Sequence, residues 1–109
     1  MLDWYTIEYL YPSSVERFSK VMFPNLGLVS LSLLNVLDMK RLYYFFDKQG
    51  IYLTVEMLSK DSWLYSVSLE NGNSYAPCQI SKSTREEIEI EGFHECFRLL
   101  EKKLRLNTY

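Results

Sequence analysis

Tyr5, Ile7 and Tyr9 alternate with Thr6 and Glu8 at the beginning of the chain, the period of two that predicts a half-buried strand over residues 4 to 10. The period then lengthens. Pro12-Ser13-Ser14-Val15-Glu16 offers a capping box between Ser13 and Glu16, and Val15, Phe18 and Met22 recur at i, i+3 and i+7, a short helix that Pro24 stops. Val29, Leu31 and Leu33 alternate with Ser30 and Ser32, which predicts a second strand. A helix from about 36 to 48 follows, with Met39, Leu42, Tyr43 and Phe46 along one stripe and Gly50 as the residue that ends it.

Two strands come next. Ile51, Leu53, Val55 and Met57 alternate with Tyr52, Thr54, Glu56 and Leu58, and Trp63, Tyr65, Val67 and Leu69 alternate with Leu64, Ser66, Ser68 and Glu70, with the connection around Ser59 to Ser62. Asn71-Gly72 is a hairpin dipeptide. The strand beyond it, near Tyr75 to Cys78, contains Pro77, which cannot donate to a ladder and so belongs at a sheet edge. The last helix runs from about 85 to 105: Ser83-Thr84-Arg85-Glu86-Glu87 holds two overlapping capping boxes, and Ile90, Phe93, Phe97, Leu100 and Leu104 share a face. Gly92, inside that helix, costs about 1 kcal/mol relative to alanine unless the backbone packs closely there, so it marks a contact with the sheet.

The resulting order is β-α-β-α-β-β-β-α in one α+β domain spanning residues 1–109, a small two-layer sandwich whose mostly antiparallel sheet is covered by helices. Thr54, Glu56, Ser66, Ser68 and Glu70 make the other sheet face polar enough to meet water.

Composition narrows the function classes. The 109 residues are 48% hydrophobic and 24% charged, as in a folded domain. Lys plus Arg is 12 against 14 for Asp plus Glu, a formal charge of -2, so no global basic field gathers nucleic acid. Neither a signal peptide nor a membrane-spanning run is predicted. Cys78 and Cys96 form no CxxC pair and read as small buried hydrophobes of a reducing compartment, which points to the cytoplasm.

Candidate chemistry is sparse. His94, Cys78 and Cys96 are the only nitrogen and sulfur ligands of their kind; "HECFR" is not HExxH, and His94 and Cys96 stand two apart, where helix side chains do not face each other. Glu86, Glu87, Glu89, Glu91 and Glu95 suit the positive end of a helix dipole and a solvated edge shared with Arg98 and Lys102. Gly27, Gly50, Gly72 and Gly92 lie too far apart to cradle a nucleotide, and no serine stands in GxSxG. No enzyme, cofactor or small-molecule substrate is expected.

The α-β-β-β-α order from Leu37 to Leu104 resembles the double-stranded RNA-binding domain. That family presents lysines at the start of its last helix and a histidine in an inter-strand loop. Here those places hold Ser83-Thr84-Arg85-Glu86-Glu87 and Glu70-Asn71-Gly72-Asn73, so the resemblance implies topology and carries over no RNA-binding residue. Thr84 to Glu87, Glu91 to Phe93 and Phe97 to Glu101 are similar to small uncharacterised proteins of phages and their hosts in which a hairpin meets a long helix. That likeness implies provenance, with the host cytosol or a virion as location, and no activity.

What remains is aromatic excess. Trp, Tyr and Phe make 16% of the chain, and Arg41 to Lys48, "RLYYFFDK", places four rings in a row. The stripe through Tyr43 and Phe46 leaves Tyr44 and Phe45 on its flanks beside Lys40, Arg41 and Lys48, and at least one of the two is expected to be exposed. The function this predicts is a non-enzymatic protein-interaction module that self-associates or binds a protein partner through Lys40, Arg41, Tyr44, Phe45 and Lys48. The alternative is a nucleic-acid binder using the same cations.

Overall fold

Asp3 decides the beginning of the chain. Its Oδ1 accepts hydrogen bonds from the amides of Tyr5 (3.2 Å) and Thr6 (3.4 Å), and its Oδ2 accepts one from the Thr6 hydroxyl (2.7 Å). It is therefore an N-cap, and Trp4–Leu10 is a helix, α1. The computed structural model describes residues 3–24, 39–70, 72, 74–75 and 84–106. The strand expected over residues 4 to 10 is thus corrected to a helix. Trp4 and Ile7, at i and i+3, are buried, while Tyr5 and Tyr9 are 67% and 86% exposed, so Tyr5, Ile7 and Tyr9 do not share a face.

One residue separates α1 from the next helix, α2 (Pro12–Met22): the Tyr11 amide donates to Ile7 O (2.7 Å), and Tyr11 O accepts from the Val15 amide (3.1 Å). Pro12 occupies the first helical position, where a missing N–H costs nothing. Ser13 does not cap this helix; its amide and that of Ser14 are turned to Glu101 instead. Val15 and Phe18 are buried, as their spacing predicts.

Helix α3 covers Met39–Lys48 and ends at Gly50, whose φ of +74° reverses the chain into β1 (Ile51–Ser59). β1 pairs antiparallel with β2 (Ser62–Leu69), and β2 with the two-residue β3 (Ser74–Tyr75), giving the sheet order β1-β2-β3. The register sets Ile51 opposite Leu69, Leu53 opposite Val67 and Val55 opposite Tyr65, all on the covered face. Tyr52, Thr54 and Glu56 face outward and are exposed, as expected of the polar side. Past the core the ladder becomes irregular between Met57 and Ser59, and Met57 and Leu58 stand 61% and 56% exposed. The strand expected around Val29 to Leu33, and Pro77 and Cys78 of the edge strand, lie outside the described residues.

Helix α4 (Arg85–Leu106) closes the structure. The Thr84 hydroxyl accepts from the Glu87 amide (3.1 Å) and donates to Glu87 Oε1 (2.9 Å), a side-chain-locked cap at the position expected. α4 lies across β1 and β2, α3 packs on β1, and α1 and α2 pack against α4. The fold is α+β, with the observed order α1-α2-α3-β1-β2-β3-α4 among the described residues. Its core joins Trp4, Ile7, Phe18, Leu42, Phe45, Phe46, Val67, Phe93 and Phe97 in one cluster.

Gly92 is a point of close approach between α4 and β1. A Cβ there would stand 2.6 Å from Leu53 Cδ1 and 3.4 Å from Leu53 Cγ. Gly92→Leu is expected to lower Tm by several degrees, since overpacking costs about 1–3 kcal/mol. Adding Leu53→Ala should recover part of that loss. A Gly92→Leu protein as stable as the parent, by thermal unfolding, would show that α4 does not rest on β1 at this residue.

Candidate interaction surface

On an α-helix each residue turns about 100° from the last. With Lys40 as origin, Tyr44 falls at about 40°, Lys48 at about 80° and Arg41 at about 100°, so these four share one sector of α3. All four are exposed, Tyr44 by 55%. Lys48 Nζ lies 4.9 Å from the centroid of the Tyr44 ring, a cation–π distance. Asp47, also exposed, borders the stripe on the Lys40 side.

Phe45 does not belong to this surface, which corrects its placement on an open flank. It is 0% exposed, edge-on to Phe18 at 5.1 Å and to Phe46 at 4.9 Å between ring centroids. The reason is angular: the core sector of α3 extends from Phe45 at about 140°, through Leu42 and Phe46, to Tyr43 at about 300°. Phe18, which covers Phe45, comes from α2. The opposite flank is closed by α4. Tyr43 packs edge-on against Phe93 at 4.9 Å, and its hydroxyl donates to Glu89 Oε2 (2.9 Å). Burial, and then the bond to Glu89, push the Tyr43 phenol well above its ordinary range, so it remains a neutral donor.

The other candidate groups are not brought together. Cys96 is fully buried, and burial raises its thiol, so it is a protonated core residue at neutral pH. His94 is partly exposed on α4, its ring 6.4 Å from that of Tyr11; Cys78 lies outside the described residues. Among the described residues, no group of three or more His, Cys, Asp or Glu could hold a metal ion. The acidic residues of α4 have structural employment: Glu87 closes the cap, Glu89 takes the Tyr43 hydroxyl with Arg85 3.7 Å away, and Glu95 is gripped by Arg98 through Nε (3.0 Å) and Nη2.

Tyr5, Tyr9 and Tyr52 are exposed tyrosines outside the expected surface. Tyr5 and Tyr9 stand four residues apart on the outer face of α1, and a helical reading of residues 4 to 10 identifies them at once. No described helix is long and apolar enough to cross a membrane. In comparison with known proteins, no family model matches the chain, and neither a curated protein nor a solved structure matches it.

Proposed function

We propose that the protein is a non-enzymatic interaction module that binds an acidic protein surface, of a partner or of a second copy, through the outer face of α3. The observation that carries this reading is the Tyr44 ring, open to solvent between Lys40, Arg41 and Lys48. An aromatic contact with basic groups at its edge is the composition of an interface: the ring supplies apolar area at low entropic cost, and the cations supply orientation. The buried, protonated Cys96 suits work in a reducing cytosol, or in a virion if the chain is phage-encoded.

A second reading draws on the order α3-β1-β2-β3-α4, which resembles the double-stranded RNA-binding domain. The carboxylates at the start of α4 oppose it, because they would face phosphates.

The test is a Tyr44→Ser, Lys48→Glu variant. It should keep the circular dichroism spectrum of the parent and weaken self-association by sedimentation, or capture of the partner, by about tenfold or more. Unchanged association removes α3 from the interface. Binding that instead requires RNA and falls steeply with salt selects the second reading.

A further inference from the structure

Away from the α3 stripe, the last two turns of α4 pass over the place where Gly50 turns α3 into β1, and they leave a groove there of about 520 Å³. Its floor is apolar. Ile51 and Leu99 are 2% and 8% exposed, Leu69 is half-buried opposite Ile51 in the ladder, and Leu106 stands up at the wall, 64% exposed. A volume of this size takes an ordinary small ligand.

The rim is basic. Lys103 donates a hydrogen to Gln49 O (3.3 Å), which holds its ammonium at the groove. Lys102, one residue before it and exposed, makes no ion pair with any described residue. Arg98 also lines the groove but shares its charge with Glu95. The one carboxylate among the described lining residues, Glu70, follows β2, and its Oε2 lies at Gly50, 2.8 Å from where a Cβ on that glycine would stand. A smaller hollow of about 340 Å³ adjoins the groove, sharing Arg98, Lys102 and Leu106, and contains the Glu101 carboxylate, which is paired with Arg105.

We propose that this groove binds a small apolar molecule with a single carboxylate, the apolar body lying over Ile51, Leu69 and Leu99 and the carboxylate meeting Lys102 and Lys103. Charge complementarity selects the head group, and the floor selects the body. The site is separate from α3, so its test is independent of the interaction reading.

Decanoate is a suitable probe, with decyltrimethylammonium as a control of equal chain length and opposite charge. Titration followed by amide chemical shifts should give decanoate a Kd of about 0.1–1 mM, with shifts centred on Ile51, Leu69 and Leu99. The cation should bind at least tenfold more weakly. Lys102→Glu with Lys103→Glu should weaken decanoate at least tenfold; Lys102→Gln with Lys103→Gln serves if the charge reversal fails to fold. Leu106→Asp should weaken it as well. Equal binding of the two amphiphiles, shifts centred elsewhere, or lysine variants that bind like the parent would overturn the assignment.

Discussion

Phe45→Ala is expected to cost about 3–5 kcal/mol, the range for removing a phenylalanine from a closed core. The neighbouring Tyr44→Ser should cost about 0.5–1 kcal/mol, the worth of an exposed cation–π contact. The contrast follows from burial: Phe45 is 0% exposed against Phe18 and Phe46, and Tyr44 is 55% exposed beneath Lys48. A whole domain is stable by about 5–15 kcal/mol, so the Phe45 variant loses a large part of it, a fall in Tm on the order of 15 °C. Denaturant unfolding of the two single variants measures both. If Phe45→Ala unfolds at the same midpoint as the parent, α2 does not cover α3.

Glu101→Ala should rank second, at about 2–4 kcal/mol. This carboxylate is 4% exposed, yet it lies 87 residues along the chain from its main partner. Oε1 accepts the Ser14 amide at 2.8 Å, Oε2 accepts the Ser13 amide at 3.4 Å, and Arg105 Nε donates to Oε2 at 3.0 Å. A side chain of α4 thereby caps α2, whose own N-cap, Tyr11, offers no side-chain bond. Alanine would strand the buried Ser14 donor and the half-buried Ser13 donor and release Arg105, and hydrogen bonds to a charged acceptor are worth about 1.5–3 kcal/mol each.

The pH dependence has a definite sign. Burial raises the Glu101 carboxyl, but its hydrogen bonds from Ser14, Arg105 and Ser13 together outweigh burial and hold it below its ordinary value of 4.5. A lowered folded value means that the unfolded chain takes the proton first. The stabilisation is complete above that ordinary value and is lost as pH falls through the lowered one. The difference in Tm between the parent and Glu101→Gln should accordingly be constant near neutrality and shrink in acid. A difference that grows as pH falls would show the carboxyl to be raised.

The second half of the fold is legible in the sequence because each signal there has one reading. Gly50, the alternation through β1 and β2, the Thr84–Glu87 cap and the close approach at Gly92 all lie where residue type and spacing place them. The first ten residues carry two periods at once. Tyr5, Ile7 and Tyr9 fit a strand, while Trp4, Ile7 and Tyr11 fit a helix, and the Asp3 cap decides between them. The misplacement of Phe45 has a separate source: the spacing of Val15, Phe18 and Met22 predicts the short helix, but no local signal says that this helix packs on α3 and sets Phe18 against Phe45. The four other residues of the expected surface stay exposed because they occupy the sector opposite Leu42 and Phe46. The capping role of Glu101 carries no local signal: Ser13 and Ser14 lie at the far end of the chain, and only the tertiary fold brings them to it.

The docking of α1 and α2 on α4 also orders events during synthesis. Trp4 meets Phe97 edge-on at 5.9 Å, and Ser14 Oγ donates to Phe97 O at 3.2 Å. Residues 4–22 are synthesised long before residues 97–101, so until then Trp4 and its neighbours on α1 have no α4 to cover them. Contacts of such sequence separation form late and keep apolar surface in solvent meanwhile. Chains truncated before Phe97 should therefore present these side chains to chaperones, and the fluorescence of Trp4, read in a Trp63→Phe background, should report the closing step of folding.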